Sequence, residues 1–224
     1  VYKFELPSGT EIELREMTGA EEELLTNARL IRSGDALNQV LRNCITRIGD
    51  ATEVTEKDVL DLLSGDRLFI LLKLREISLG SEVDLELVCP QPSCRETNLL
   101  SVDLSEAKVT KYGIDREFVF ELPGSKRSVR FTHLDGHKEK RLAALKEPSI
   151  SSAMLIRILE VDGKPPTKKL LADMSLRDRT GLRKAMQKVD AGPDTVVAME
   201  CEACGSPIRT RLEAEAGFFF PEAR

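Results

Sequence analysis

The sequence predicts an α+β fold made of a tandem duplicated module: β-hairpin, helices, then a zinc-knuckle hairpin, with one four-cysteine zinc site shared between the two copies. Three observations predict it. Short alternating runs around Gly- and Pro-containing turns are interspersed with longer runs of helical periodicity. Landmark residues return at a nearly constant distance. Phe4-Glu5-Leu6-Pro7 recurs as Phe120-Glu121-Leu122-Pro123, an offset of 116 (4 to 120), while Thr55, Asp66-Arg67 and Cys89 recur as Thr167, Asp178-Arg179 and Cys201, an offset of 112 (55 to 167). Finally, each copy carries one short-spaced cysteine pair.

Taken in order, Tyr2 to Pro7 and Glu11 to Arg15 alternate around Pro7-Ser8-Gly9-Thr10, a hairpin pattern. Thr18 with Glu21 has capping-box spacing and opens a helix through about Ile31. Ser33-Gly34-Asp35 breaks it, and a second helix is predicted from about Ala36 to Ile48. Its apolar stripe of Leu37, Leu41, Cys44, Ile45 and Ile48 makes Cys44 a core residue rather than a reactive thiol. Thr55 starts a third helix and Leu68 to Ile77 form a fourth. A strand, Val83 to Val88, then leads to Cys89, and a return strand runs from about Asn98 to Leu104. In the second copy, Val129 to Phe131 pairs with the strand around Phe120, Asp135 caps a helix through Leu145, and another helix spans about Ser151 to Val161. Thr195 to Glu200 leads to Cys201, and Arg209 to Leu212 returns. The expected boundaries are residues 1–104 for the first repeat, 105–116 for a polar linker, 117–214 for the second repeat and 215–224 for an aromatic tail.

The cysteines decide the chemistry. Cys89-Pro90-Gln91-Pro92-Ser93-Cys94 and Cys201-Glu202-Ala203-Cys204-Gly205 each end a strand and turn back. Such knuckles let two sulfurs and nearby backbone N–H groups converge on a metal. One knuckle per repeat gives half a site per repeat, so Cys89, Cys94, Cys201 and Cys204 together complete a tetrahedral structural Zn2+ that staples two small modules. Two disulfides, or two independent reduced pairs, are the alternative. The start of the chain, Val1-Tyr2-Lys3-Phe4-Glu5, does not read as an export signal. Reduced, metal-binding cysteines in a cytosol are therefore expected.

Charge bears on the partner. The net charge is −5, but residues 1–104 carry 11 Lys and Arg against 20 Asp and Glu, and the remainder 22 against 18. A nucleic-acid-binding zinc ribbon needs a basic field, because phosphate neutralisation dominates affinity. An acidic first half counts against it and fits docking among protein neighbours of mixed sign. No apolar run approaches the ~20 residues of a membrane span.

No catalytic set assembles: the chain has no Gly-rich phosphate loop, no nucleophile elbow and no HExxH. His133 and His137 could share a metal on a helix, but Gly136 lies between them and the first repeat has no counterpart, so solvated surface histidines are expected. Asp66-Arg67 and Asp178-Arg179 stand where one helix hands over to the next. They read either as a capping Asp with an exposed Arg or as a structural ion pair. Phe218-Phe219-Phe220-Pro221 places three of the eight phenylalanines consecutively, which no helix or half-buried strand can bury on one face. The tail either folds across the groove between the repeats or anchors in a neighbouring protein; docking by Phe218, Phe219 and Phe220 is the expectation carried forward.

These residues resemble a known family. Leu6-Pro7-Ser8-Gly9, Glu13-Leu14-Arg15-Glu16-Met17-Thr18-Gly19 with Glu21-Glu22, Asp66-Arg67, the Cys-Pro knuckle followed by Val102-Asp103-Leu104, and the terminal Cys-x-x-Cys-Gly with Phe-Phe-Phe-Pro are similar to the T-even-type phage baseplate-hub family. That family also occurs in bacterial contractile injection systems. The departure is the wide first knuckle with Pro90 and Pro92. The resemblance implies a non-enzymatic structural or assembly protein of a baseplate, made in the bacterial cytoplasm, with other baseplate or tail proteins as partners. The acidic first half, the lack of a long apolar run and the missing catalytic motifs lead to the expectation of no nucleic acid, membrane or small-molecule substrate. A zinc-ribbon nucleic-acid adaptor is the alternative.

Overall fold

A computed structural model of the chain describes residues 1–212 and 218. The first strands, β1 (Tyr2–Glu5) and β2 (Glu11–Leu14), pair antiparallel with Phe4 opposite Ile12. Gly9 at φ 87° turns the chain between them. Helices α1 (Gly19–Thr26), α2 (Ala28–Ser33) and α3 (Ala36–Cys44) follow, then strand β3 (Ile45–Ile48). Next come α4 (Glu56–Asp61) and the long α5 (Ser64–Leu79), and a hairpin of β4 (Glu82–Val88) and β5 (Thr97–Asp103). A short 3-10 turn at Leu104–Glu106 and strand β6 (Val109–Thr110) lead into the second half. There β7 (Glu117–Glu121), β8 (Ser128–Thr132), α6 (Gly136–Ala143), α7 (Ile150–Leu155) and β9 (Ile158–Val161) precede α8 (Lys168–Asp173) and α9 (Leu176–Val189). Strand β10 (Gly192–Pro193) and the hairpin β11 (Val196–Glu200) with β12 (Pro207–Arg211) follow.

Two predicted helices are each a helix followed by a strand. Ala36 to Ile48 is α3 and β3; Ser151 to Val161 is α7 and β9. The apolar spacing runs unbroken through both junctions, but Ile45-Thr46-Arg47-Ile48 is rich in β-branched residues and gains a sheet edge to pair with. The first predicted helix also breaks, at Asn27, whose side chain caps α2. The result is two three-stranded sheets of the same order, β1-β2-β3 and β7-β8-β9. Their irregularities coincide as well, with one register shift at Glu13/Leu14 and one at Arg130/Phe131.

Each sheet packs on its own helices. Leu6, Ile12 and Leu14 meet Leu41, Cys44, Ile70 and Leu74 in the first core; Leu122, Val129 and Phe131 meet Met154, Leu171, Leu182 and Met186 in the second. The first core reaches across the chain and takes in Val197, Leu212 and Phe218. That reach explains α5, which buries Phe69, Ile70, Leu71, Leu72 and Leu74 around most of its circumference, whereas α9 buries apolar side chains only at Leu182 and Met186. Cys44 is fully buried, as expected, and desolvation with the nearby Glu21 carboxylate pushes its thiol up to about 12.

Glu21 is fully buried yet charged. Desolvation works against the carboxylate, but two bonds from Arg15, at 2.9 and 3.1 Å, with donors on Thr18 and Asn43, hold it down at about 2. Its folded value lies below the unfolded one, so this stabilisation is complete above about pH 4.5 and lost as pH falls toward 2, a span of as much as ~3 kcal/mol. Glu21→Gln is expected to destabilise the chain at pH 7 and to flatten the acid limb of its stability curve. Denaturant midpoints at pH 7 and pH 3 measure this.

The segment after the first half is tied down. The Tyr112 N–H donates to Pro7 O (2.9 Å), its hydroxyl accepts from Gly65 N (2.9 Å), and β6 pairs with β10. At Gly65 a Cβ would lie 2.0 Å from Ala191 O, so only glycine allows this approach. His133 corrects the surface expectation: it is 3% exposed and sits edge-on between Tyr112 (4.8 Å) and Phe118 (4.9 Å). The apolar neighbours come from the segment before it, which no helical spacing could reveal. His137 is half-exposed and pairs with Asp61 at 2.9 Å. Among the described residues no helix is long and apolar enough to cross a membrane.

Candidate metal centre

The two cysteine hairpins meet at their tips. In the first, β4 and β5 stay in register from Glu82–Asp103 to Val88–Thr97, and Cys89 N–H then donates to Glu96 O at 2.8 Å. Cys94 and Arg95 N–H groups both turn back to Gln91 O, with Arg95 in the left-handed region at φ 56°. These bonds absorb the two extra residues of the wide knuckle. In the second, Cys201 N–H donates to Ser206 O (2.9 Å), and Gly205, at φ 71°, closes the turn onto Cys201 O (2.8 Å). Leu87, Met199 and Ile208 pack beneath the sulfurs as a small separate core.

All four sulfurs lie within 4.8 Å of one another, and none is bonded in a disulfide. Cys89 Sγ is 3.7 Å from Cys204 Sγ, and Cys94 Sγ is 3.8 Å from Cys201 Sγ. Exchanging the knuckles exchanges these two distances. A regular tetrahedron of thiolates ~2.3 Å from a central ion has an edge of ~3.8 Å, so the spacing suits a tetrahedral S4 site. Cys89 and Cys201 are buried while Cys204 faces solvent.

Four thiols this close divide unequally without a cation. The Ser206 hydroxyl and N–H bring Cys204 down to about 6. The Glu96 N–H favours the Cys94 thiolate, but desolvation and the three neighbouring sulfurs push it up to about 12. A bound cation would supply the charge that lets all four ionise.

Asn98 is the residue that spacing alone did not reveal. It is 2% exposed, its amide reaches Cys201 Sγ at 3.6 Å, and its carbonyl accepts from Glu202 N at 2.9 Å. It therefore joins the first hairpin to the second knuckle and orients one sulfur. The signal was available: it is a polar residue on the inward face of β5, where the same-face alternation calls for an apolar one. Asn98→Ala is expected to weaken metal binding by about 10–100-fold, measured by competition with a chromophoric chelator.

With this geometry in place, the chain can be compared with known families. A family described as T4 bacteriophage base plate protein matches residues 1–219. The chain belongs to that family. Neither the curated proteins nor the solved structures give a significant match.

In this base plate protein the repeated Asp-Arg dipeptides are not ion pairs, which corrects that expectation. Asp66 accepts from Ser8 N at 2.9 Å; Asp178 accepts from Gly124 N at 2.5 Å and Ser125 N at 3.1 Å. Each carboxylate thus holds the turn of its own β-hairpin. Burial pushes Asp66 up despite Ser8, whereas the two N–H groups keep Asp178 below the usual range against desolvation. The arginines point elsewhere. Arg67 donates to Glu139 (2.7 Å), Val59 O (2.9 Å) and Asn38 (2.6 Å); Arg179 donates to Leu171 O (2.7 Å) and Ser151 (2.8 Å). Neighbours on a helix project about 100° apart, so each side chain meets a different element.

Phe218 is 8% exposed in the first core of this base plate protein. That side chain belongs to the interior, and the docking expectation passes to Phe219 and Phe220, which lie outside the described residues.

Proposed function

We propose that this chain is a non-catalytic structural or assembly component of a contractile-tail baseplate hub, or of a related injection particle. In this reading it is made in the bacterial cytoplasm and works by occupying a place among other baseplate or tail proteins. Its two halves are copies of one module, and a structural Zn2+ on Cys89, Cys94, Cys201 and Cys204 staples them. The observation that carries the reading is the sulfur cluster. Two ligands come from each half, and four thiolates leave no open position for a reacting water. Soft sulfur ligands favour zinc over magnesium or calcium.

The duplication is supported by bonds that fall at matching positions. Arg67 to Val59 O and Arg179 to Leu171 O span the same eight residues, 112 apart in sequence. The Ile48–Ala51 bridge matches Val161–Lys164, and the hairpin-turn contacts of Asp66 and Asp178 match as well. Phe219 and Phe220 would anchor in a neighbouring protein.

Affinity purification of the tagged full chain from phage-infected or injection-system-expressing cells tests the assembly role. Stoichiometric recovery with baseplate subunits is expected. Recovery of the free chain, or of nucleic acid released by salt, would overturn it.

A further inference from the structure

The contact between the halves runs one way. The first half offers α4 and the start of α5; the second offers the turn into α6 and its first turns. Ser64 N–H donates to Leu134 O (3.0 Å) and Gly136 N–H to Leu62 O (3.1 Å), while Arg67 meets Glu139 (2.7 Å) and Lys140 meets Glu56 (2.8 Å). A twofold relation between the halves would repeat this contact in reverse. Among the described residues it does not, although the sulfurs exchange symmetrically.

Both surfaces nevertheless have counterparts. Under the duplicated-module reading, on which this inference rests, α4 and α5 correspond to α8 and α9, and the cap of α6 at Asp135 corresponds to the cap of α1 at Thr18. Among the described residues nothing covers the counterpart surfaces. Leu176, standing where α5 has Ser64, is 81% exposed; a groove of about 600 Å³ nearby lies between the β7–β8 turn at Gly124, Ser125 and Arg127 and the residues Leu170, Met174 and Ser175. Gly136 must be glycine, because a Cβ there would lie 2.8 Å from Leu60 Cα; its counterpart Gly19 has nothing within 4 Å. Among the described residues nothing calls for glycine at position 19.

The charges complete the case. Lys140 and Glu56 correspond to Glu23 and Lys168, an ion pair with its signs exchanged. Arg67 and Glu139 correspond to Arg179 and Glu22. Glu22 and Glu23 are exposed, and the Arg179 bonds run to Leu171 O and Ser151, matching two of the three made by Arg67.

We propose that a second copy of this chain docks here, its α1 turn seated on the junction of α8 and α9. Glu22 of one copy then meets Arg179 of the next, and Glu23 meets Lys168. Arg177 replaces Gly65, so the close approach made by Ala191 is not repeated and the contact between copies is narrower than the internal one. A head-to-tail contact of this kind adds copies until rotation closes a ring.

Sedimentation of the full chain from about 1 μM to on the order of 100 μM at low salt tests this. Mass rising with concentration is expected. Glu23→Lys and Lys168→Glu should each weaken association by about tenfold or more, and the double variant should restore it, because like charges across an interface repel and the swap re-pairs them. At the dilute end, where the chain is monomeric, melting temperatures should not move, since both side chains lie at the surface. A chain that stays monomeric throughout, or single reversals without effect, would overturn the docking. An experimental structure separates the two readings: halves that superpose in a monomeric chain sink the docking alone, and halves that do not superpose sink the duplication on which it rests.

Discussion

Removing the metal is expected to lower the melting temperature by more than about 10 °C, and purified chain should contain about one zinc. Structural zinc binding contributes of the order of 10–16 kcal/mol in small domains, and here an ion would join the tips of two hairpins, where the described apolar support is Leu87, Met199 and Ile208. Without an ion, four sulfurs lying within 4.8 Å of one another have no shared partner to hold them together. The hairpin tips should therefore separate first, and the amides of Cys89 and Cys201 should lose exchange protection before those of α5. Cys89→Ser or Cys201→Ser should reproduce the loss in the presence of metal. A metal-free chain with unchanged melting and exchange would end the stapling argument.

The second large effect is expected at Arg67. It is 6% exposed, and its three nitrogens reach Glu139, Val59 O and Asn38, joining α5 to α4, α3 and α6. Arg67→Ala leaves a half-buried carboxylate and a buried amide without their partner, at a cost of about 3–5 kcal/mol, or ~10 °C in a chain of this length. Arg179→Ala should cost less, because Arg179 binds a carbonyl and a hydroxyl and no carboxylate within the described residues. Thermal scans of the two variants test both statements. Equal losses would mean that the tie to α6 contributes nothing.

The cluster of four cysteines was legible because their spacing is local: each knuckle is written in five or six consecutive residues, and the strands before it alternate visibly. The hairpin turns at Gly9 and Gly124 were legible for the same reason. The third strand of each sheet was not. Ile45 to Ile48 and Ile158 to Val161 continue a helical apolar spacing, and only the free edges of β2 and β8 turn them into strands. The Asp-Arg dipeptides were found as landmarks but assigned the wrong partners, since Ser8 lies 58 residues from Asp66 and Glu139 lies 72 from Arg67. His133 failed likewise, because its burial depends on Tyr112 and Phe118 rather than on its helical neighbours.

The ligand pairs, 107 and 115 residues apart, also set a timetable. At about 5–20 residues per second, a ribosome that has released Cys89 and Cys94 needs roughly 6–20 s more to deliver Cys201 and Cys204. During that interval the first hairpin can offer an ion only two sulfurs. The first core is also incomplete, because Val197 and Leu212 have not yet emerged. Binding of a metal by all four sulfurs, and closure of that core, would therefore both wait until residues 197–212 have emerged.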